Sequence, residues 1–184
     1  MHNYKKWYVS GRKIIVRDKM QNYTYFLTYD AGTNIKNSGY GERYDFEPYY
    51  TPQQMLKMGV FEGKYINDGK NEFPIEFYKY AKISKNPDIS INYFGVKSRL
   101  SLQEWRKRKW VPVHKDDKDI RGWFQWYCRY WLGRRIPEID IIQIKRWRSF
   151  KRHSAQVEKN AKNDLSKRKK QRQALLQWSW NCKI

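Results

Sequence analysis

The residues of this chain best suited by type to chemistry are carboxylates with a lysine among them. Glu62, Lys64, Asp68, Glu72 and Glu76 follow one another around Gly63 and Gly69. An amine set among carboxylates can attack a sugar carbon while a carboxylate moves the proton, which is the chemistry of base excision. On that reading Lys64, Asp68 and Glu72 are the candidate catalytic residues, and helix-end salt bridges are the competing reading. His2, His114 and His153 offer no nucleophilic triad. Cys128 and Cys182 read as reduced thiols, and no Cys/His spacing suits a metal. With no glycine-rich phosphate loop either, neither a metal nor a cofactor is expected.

A second acidic set consists of Asp116, Asp117 and Asp119, followed by Asp140, Gln143 and Lys145. Its order is loosely that of restriction-type nucleases, where clustered carboxylates hold a metal beside a lysine. Its latter part has helical rather than strand spacing and lacks the second carboxylate. The alternative is a solvated loop, with Asp140 favourable near a helix N-terminus.

Basic residues outnumber all of these. Lys and Arg total 39 against 18 Asp and Glu, a net charge of +21. Residues 1–100 carry 16 basic and 10 acidic side chains, while residues 101–184 carry 23 and 8. Charge concentrated in this way favours a polyanion, and nucleic acid is the commonest, because each phosphate neutralised releases counterions. Two blocks combine it with aromatic rings. In residues 121–135, Trp123, Trp126, Tyr127, Tyr130 and Trp131 share one helical face. That face is either a stacking platform for an unpaired base, with Trp123, Trp126 and Tyr127 as its rings, or the core. Arg129, Arg134 and Arg135 lie off it and are candidate phosphate contacts. In residues 145–153, Lys145, Arg148 and Arg152 share a face, Lys151 lies beside them, and Trp147 and Phe150 turn to the core. Lys167, Arg168, Lys169, Lys170 and Arg172 form a third run, suited to phosphate contact or to a nuclear import signal.

The elements that must position these residues follow from local pattern. Residues 6–9, 13–16 and 23–29 are rich in β-branched and aromatic residues between turn formers, and predict a small antiparallel sheet. Residues 30–50 are a glycine- and asparagine-rich loop. Thr51 and Pro52 open a helix that Gly59 stops. A second helix is expected over 75–83, and a third behind a Ser101/Glu104 capping box, ended by Pro112. Asp119 caps a helix over 120–132 that ends at Gly133. Pro137 opens a longer helix carrying Ile144, Trp147, Phe150, Val157 and Ala161, and Ser166 caps the last. The expected fold is α+β: an N-terminal antiparallel β-sheet and loop over 1–50, and a mainly helical, aromatic-rich basic body over 51–184, the two forming one integrated domain or two.

Composition closes off several classes. A mean hydropathy of −1.02 suits disorder, but 9 Trp and 15 Tyr score as polar while burying on the order of 150–250 Å² each. No apolar run approaches the roughly 18 residues of a membrane helix. Residues 1–6 lead into no secretory signal, so an intracellular protein is expected, in a host cytoplasm or nucleus, with no membrane partner.

Gly59-Val60-Phe61-Glu62-Gly63-Lys64-Tyr65, Asn71-Glu72-Phe73-Pro74, Asn92-Tyr93-Phe94-Gly95-Val96, residues 122–135, Gln143-Ile144-Lys145-Arg146-Trp147 and Arg172-Gln173-Ala174-Leu175-Leu176-Gln177-Trp178 together form a motif string. Across roughly residues 51–180 it resembles an uncharacterised family of small basic proteins of large DNA viruses, phages and some microbial eukaryotes. The resemblance assigns no residue a role; it implies a viral or phage setting and, by association, a DNA transaction. The expected function is nucleic-acid binding through phosphates, duplex DNA before structured RNA. The alternatives are a DNA-processing enzyme, glycosylase/lyase or nuclease, and an interaction protein docking an acidic partner.

Overall fold

A computed structural model describes residues 3–69, 71–97, 102–108 and 118–184. The protein is α+β, with one two-stranded antiparallel sheet near the N-terminus and helices through the rest. The strands are β1 (Lys13–Arg17) and β2 (Asn22–Phe26). The helices are α1 (Pro52–Met58), α2 (Ile75–Tyr78), α3 (Leu102–Lys107), α4 (Trp123–Trp131), α5 (Pro137–Ser149), α6 (Lys151–Ala161) and α7 (Lys169–Gln177).

The chain divides into two compact units, each discontinuous in sequence. Unit 1 comprises Met1–Phe46, Ile66–Glu76 and Leu100–Gln143, and unit 2 comprises Glu47–Tyr65, Phe77–Arg99 and Ile144–Ile184. Neither coincides with 1–50 or 51–184. By sequence, unit 1 holds 19 basic and 13 acidic residues and unit 2 holds 20 and 5, so their net charges are +6 and +15.

In unit 1, β1 carries three β-branched residues between Lys13 and Arg17 with burial alternating along it, and its register sets Ile14 opposite Tyr25 and Val16 opposite Tyr23. Period-two alternation sends Ile14, Val16, Tyr25 and Leu27 into one buried cluster. The strand expected over 6–9 is replaced by a 3-10 turn, Tyr4–Trp7. The Asn3 side chain accepts the Lys5 N–H, and the Tyr8 N–H closes on the Lys5 carbonyl. The body of the unit is α4, whose Trp126, Tyr127 and Tyr130 rings each lie 5.4 Å from the Phe46 ring. Gly133 ends that segment at φ +107°, with its carbonyl accepting the N–H groups of Thr28 and Tyr29. A Cβ there would lie 1.8 Å from the Tyr29 oxygen, so the join between α4 and the hairpin requires glycine.

In unit 2, Thr51 and Gln54 form the full capping box of α1, with Pro52 in its first turn. The helix expected over 75–83 ends at Tyr78, because the chain turns so that the Lys82 N–H reaches the Leu56 carbonyl. The helix expected from Pro137 is two helices, α5 and α6, meeting at Phe150. Trp147 stacks on Trp180 at 4.9 Å and Phe150 on Trp178 at 4.6 Å, beside buried Ile144, Val157, Leu175 and Leu176. The final helix starts at Lys169 rather than after Ser166, whose hydroxyl instead donates to Asp164 at 2.6 Å. The Ser101 cap lies outside the described residues.

Candidate nucleic-acid interface

Exposed cations of unit 2 concentrate on and beside three helices, α5, α6 and α7, with Lys57, Lys64, Lys79, Lys82, Lys85, Lys97 and Lys183 exposed elsewhere in the unit. Lys145 and Arg148 lie on the last turns of α5, Lys151 and Arg152 open α6, and Lys167, Arg168, Lys169 and Lys170 precede and open α7; all eight are exposed. Lys159, two turns along α6 from Arg152, and Lys162 at the end of that helix are exposed as well. Acidic residues intervene at two places, where Lys162 meets Glu158 at 3.7 Å and Lys167 meets Asp164 at 3.2 Å. The helices α6 and α7 pack together, and the Gln171 amide donates to Gln156 at 2.8 Å between them.

The start of α7 is electrostatically unusual. Arg168 occupies its N-cap at φ 51°, no side chain caps it, and its first turn holds no acidic residue. Cations are disfavoured at this end of a helix, where the backbone dipole is positive. The first N–H groups of a helix have no acceptor within it, and such an end suits an anion.

Three of the arginines expected to contact phosphate, Arg129, Arg134 and Arg172, are committed inside the protein, and a fourth, Arg135, is half-buried. Arg129 is fully buried in unit 1, donating to Glu72 at 2.5 and 3.0 Å, to Asp119 at 3.0 Å, to Gln21 at 2.9 Å and to the Lys118 carbonyl. Arg134 meets the other Asp119 oxygen at 2.6 Å. Burial pushes the Asp119 carboxyl up, but the Arg134 and Arg129 guanidiniums outweigh it and hold the group below its usual value. Burial works against charge on Arg129 too, and Glu72 and Asp119 more than restore it. Arg135 donates to the carbonyls of Tyr130, Arg134 and Asn34, and its guanidinium lies 3.5 Å from the Tyr130 ring centroid. Arg172, in unit 2, donates to the carbonyls of Ala161, Asp164, Lys167, Cys182 and Ile184 at 2.5–3.2 Å. It ties the end of α6 and the last residues of the chain to α7. Pairing of this kind stabilises buried charge, so Arg129, Arg134 and Arg172 are not surface phosphate contacts, while Arg135 is only partly withdrawn from solvent.

The stacking face is core as well. Trp123, Trp126 and Tyr127 are buried, and the Trp126 indole donates to Asp140 at 2.8 Å. Asp140 also accepts the Tyr40 hydroxyl and the Ile136 N–H, and burial raises its carboxyl despite these bonds.

The acidic candidates do not form a reactive set. Glu72 is held by Arg129 and accepts the Tyr25 hydroxyl, and Asp68 pairs with Arg121 at 2.6 Å. Lys64 is exposed and belongs to the other unit. For the nuclease pattern, Asp119 and Asp140 are engaged as above, and Asp116 and Asp117 lie outside the described residues. Among the described residues, no three His, Cys, Asp or Glu side chains gather as a metal site. Nor is any described helix long and apolar enough to cross a membrane. No family model, curated protein or solved structure matches the chain.

Proposed function

We propose that the protein binds nucleic acid, duplex DNA in preference to structured RNA, through phosphate contacts made by unit 2. The contact residues are Lys145, Arg148, Lys151, Arg152, Lys167, Arg168, Lys169 and Lys170. The observation that carries the reading is the crowding of Arg168, Lys169 and Lys170 at the uncapped, acid-free start of α7. Such an arrangement is unfavourable in the free protein and becomes favourable when an anion is bound. The net charge of +15 on unit 2 gives that anion a long-range attraction. A viral or phage DNA transaction as the setting rests on the sequence resemblance alone.

Titrating blunt duplex DNA and a structured RNA at several salt concentrations tests this. A steep linear fall of log K with log salt is expected, at about 0.9 per phosphate contact on B-DNA, with the DNA recovered intact. Salt-independent binding, or none at physiological salt, would overturn it.

A further inference from the structure

Unit 1 contains a cleft of about 520 Å³ between the N-terminal turn, the start of β1 and residues 71–76. That volume lies within the roughly 300–1,000 Å³ of small-ligand sites. Its lining includes three large apolar side chains left substantially in water: Trp7 at 62 % exposure, Ile15 at 50 % and Ile75 at 66 %. Exposed apolar surface gathered in one concavity marks a binding site far more often than the same residues scattered singly. Cations stand beside it. Arg12 and Lys13 line the cleft, both exposed, and the Arg12 guanidinium lies 5.9 Å from the Trp7 ring centroid. Asn71 adds an exposed amide.

Other parts of the wall are fixed in advance. The Tyr8 hydroxyl donates to the Glu72 carbonyl at 2.9 Å, and the Tyr4 hydroxyl accepts the Trp131 indole N–H at 3.1 Å. The two tyrosine rings meet edge to face at 6.3 Å. A ligand entering the cleft would meet two aromatic rings already in place, so little ordering remains to oppose binding.

We propose that this cleft binds a single unpaired nucleotide, its base stacked on Trp7 and its phosphate held by Arg12 and Lys13. An exposed indole flanked by cations is the combination with which proteins hold single-stranded nucleic acid. The amide of Asn71 has both a donor and an acceptor for a base edge. Glu72 and Glu76 also line the cleft, two carboxylates against two cations, and the Glu72 carboxylate is already neutralised by Arg129. The choice of ligand rests on the nucleic-acid reading of unit 2, while the site itself belongs to unit 1 and is tested separately.

Adenosine monophosphate, titrated into the full chain, is the first probe. The Trp7 indole N–H, identified as the signal missing in Trp7→Phe, should shift saturably. Trp7→Ala should weaken binding about five- to hundred-fold, the range ordinary for losing one base–aromatic stack. Trp7→Phe should retain most of the affinity, and Lys13→Glu should lose affinity with the indole intact. Because Trp7 is mostly exposed, these variants keep the fold, checked by their melting curves. A duplex with a short single-stranded tail separates the two sources of the nucleotide. Preference for the tailed over the blunt duplex, lost in Trp7→Ala and kept in Trp7→Phe, assigns the cleft to strand ends; saturable monophosphate binding without that preference assigns it to free nucleotide. Blunt-duplex binding with no saturable response to the monophosphate and no effect of Trp7→Ala on the tailed duplex overturns the cleft and leaves the phosphate reading standing. The reverse pattern, saturable monophosphate with no blunt-duplex binding, overturns the phosphate reading and leaves the cleft.

Discussion

At the scale of single residues, what separates one arginine from another in this chain is the carboxylates and carbonyls within reach. Arg129 and Arg134 share Asp119, and Arg129 also holds Glu72. Replacing Arg129 by alanine leaves two buried carboxylates short of a partner, and breaking such a network costs about 3–5 kcal/mol. Arg129→Lys should recover little, since a point ammonium cannot serve Glu72, Asp119 and Gln21 together. Urea unfolding checks both, and a stable Arg129→Ala protein would refute the account. Asp119 supplies a pH signature. Its carboxyl titrates below its unfolded value of about 3.9, so its stabilisation is complete above that pH and is lost as pH falls towards the folded value. Asp119→Asn should therefore be less stable at pH 6 yet show a smaller further loss between pH 5 and pH 3; an unchanged acid slope would rule Asp119 out as its source. None of this pairing is legible in sequence. The Glu72 partner lies 57 residues from Arg129 in the chain, and an arginine destined for burial looks there like one destined for solvent.

Local punctuation at the scale of elements was legible where both ends of an interaction lie within a turn. Thr51, Pro52 and Gln54 specify the start of α1, and the β-branched run Ile14-Ile15-Val16 specifies β1. It misled where a distant partner competes. Asp119 has the type and position of a helix cap, yet two buried guanidiniums take its carboxylate and α4 begins only after Gly122. The aromatic face of α4 was readable as a face, but only packing around Phe46 shows that it is core. The start of α7 allows a prediction in which stability and binding move in opposite directions. Lys169→Glu with Lys170→Glu places acid where the helix dipole favours it, worth about 0.3–1 kcal/mol per residue at low salt. The free protein should melt higher while its affinity for duplex DNA falls. If melting temperature and affinity fell together, the cations would be stabilising the helix rather than serving a ligand.

For the whole molecule, the decisive quantity is how unevenly a net charge of +21 is shared: sequence halves and discontinuous units both divide it as +6 and +15, but the units assign different residues to each share. Residues 66–76 and 100–143 join the N-terminal hairpin in unit 1, where 13 carboxylates offset much of the 19 cations; unit 2 has 5 against 20. Several unit 1 cations are further consumed by carboxylate pairs, Arg121 with Asp18 and Asp68 among them. Phosphate binding should therefore depend on which unit loses charge, not on how much the protein loses. Changing Lys151, Arg152, Lys169 and Lys170 together to glutamine removes four charges from unit 2. With about 0.9 of salt slope per phosphate contact, the slope for blunt duplex should fall by roughly 3–4. Arg17→Gln with Lys19→Gln, both exposed in unit 1, serves as the control and should change the slope by less than about one. All six residues are exposed, so melting curves should stay within a few degrees of the parent, and affinity lost per charge becomes the readout. If slope and affinity fell in proportion to charge removed from either unit, binding would be the diffuse attraction of a cationic protein rather than contact by the helices of unit 2.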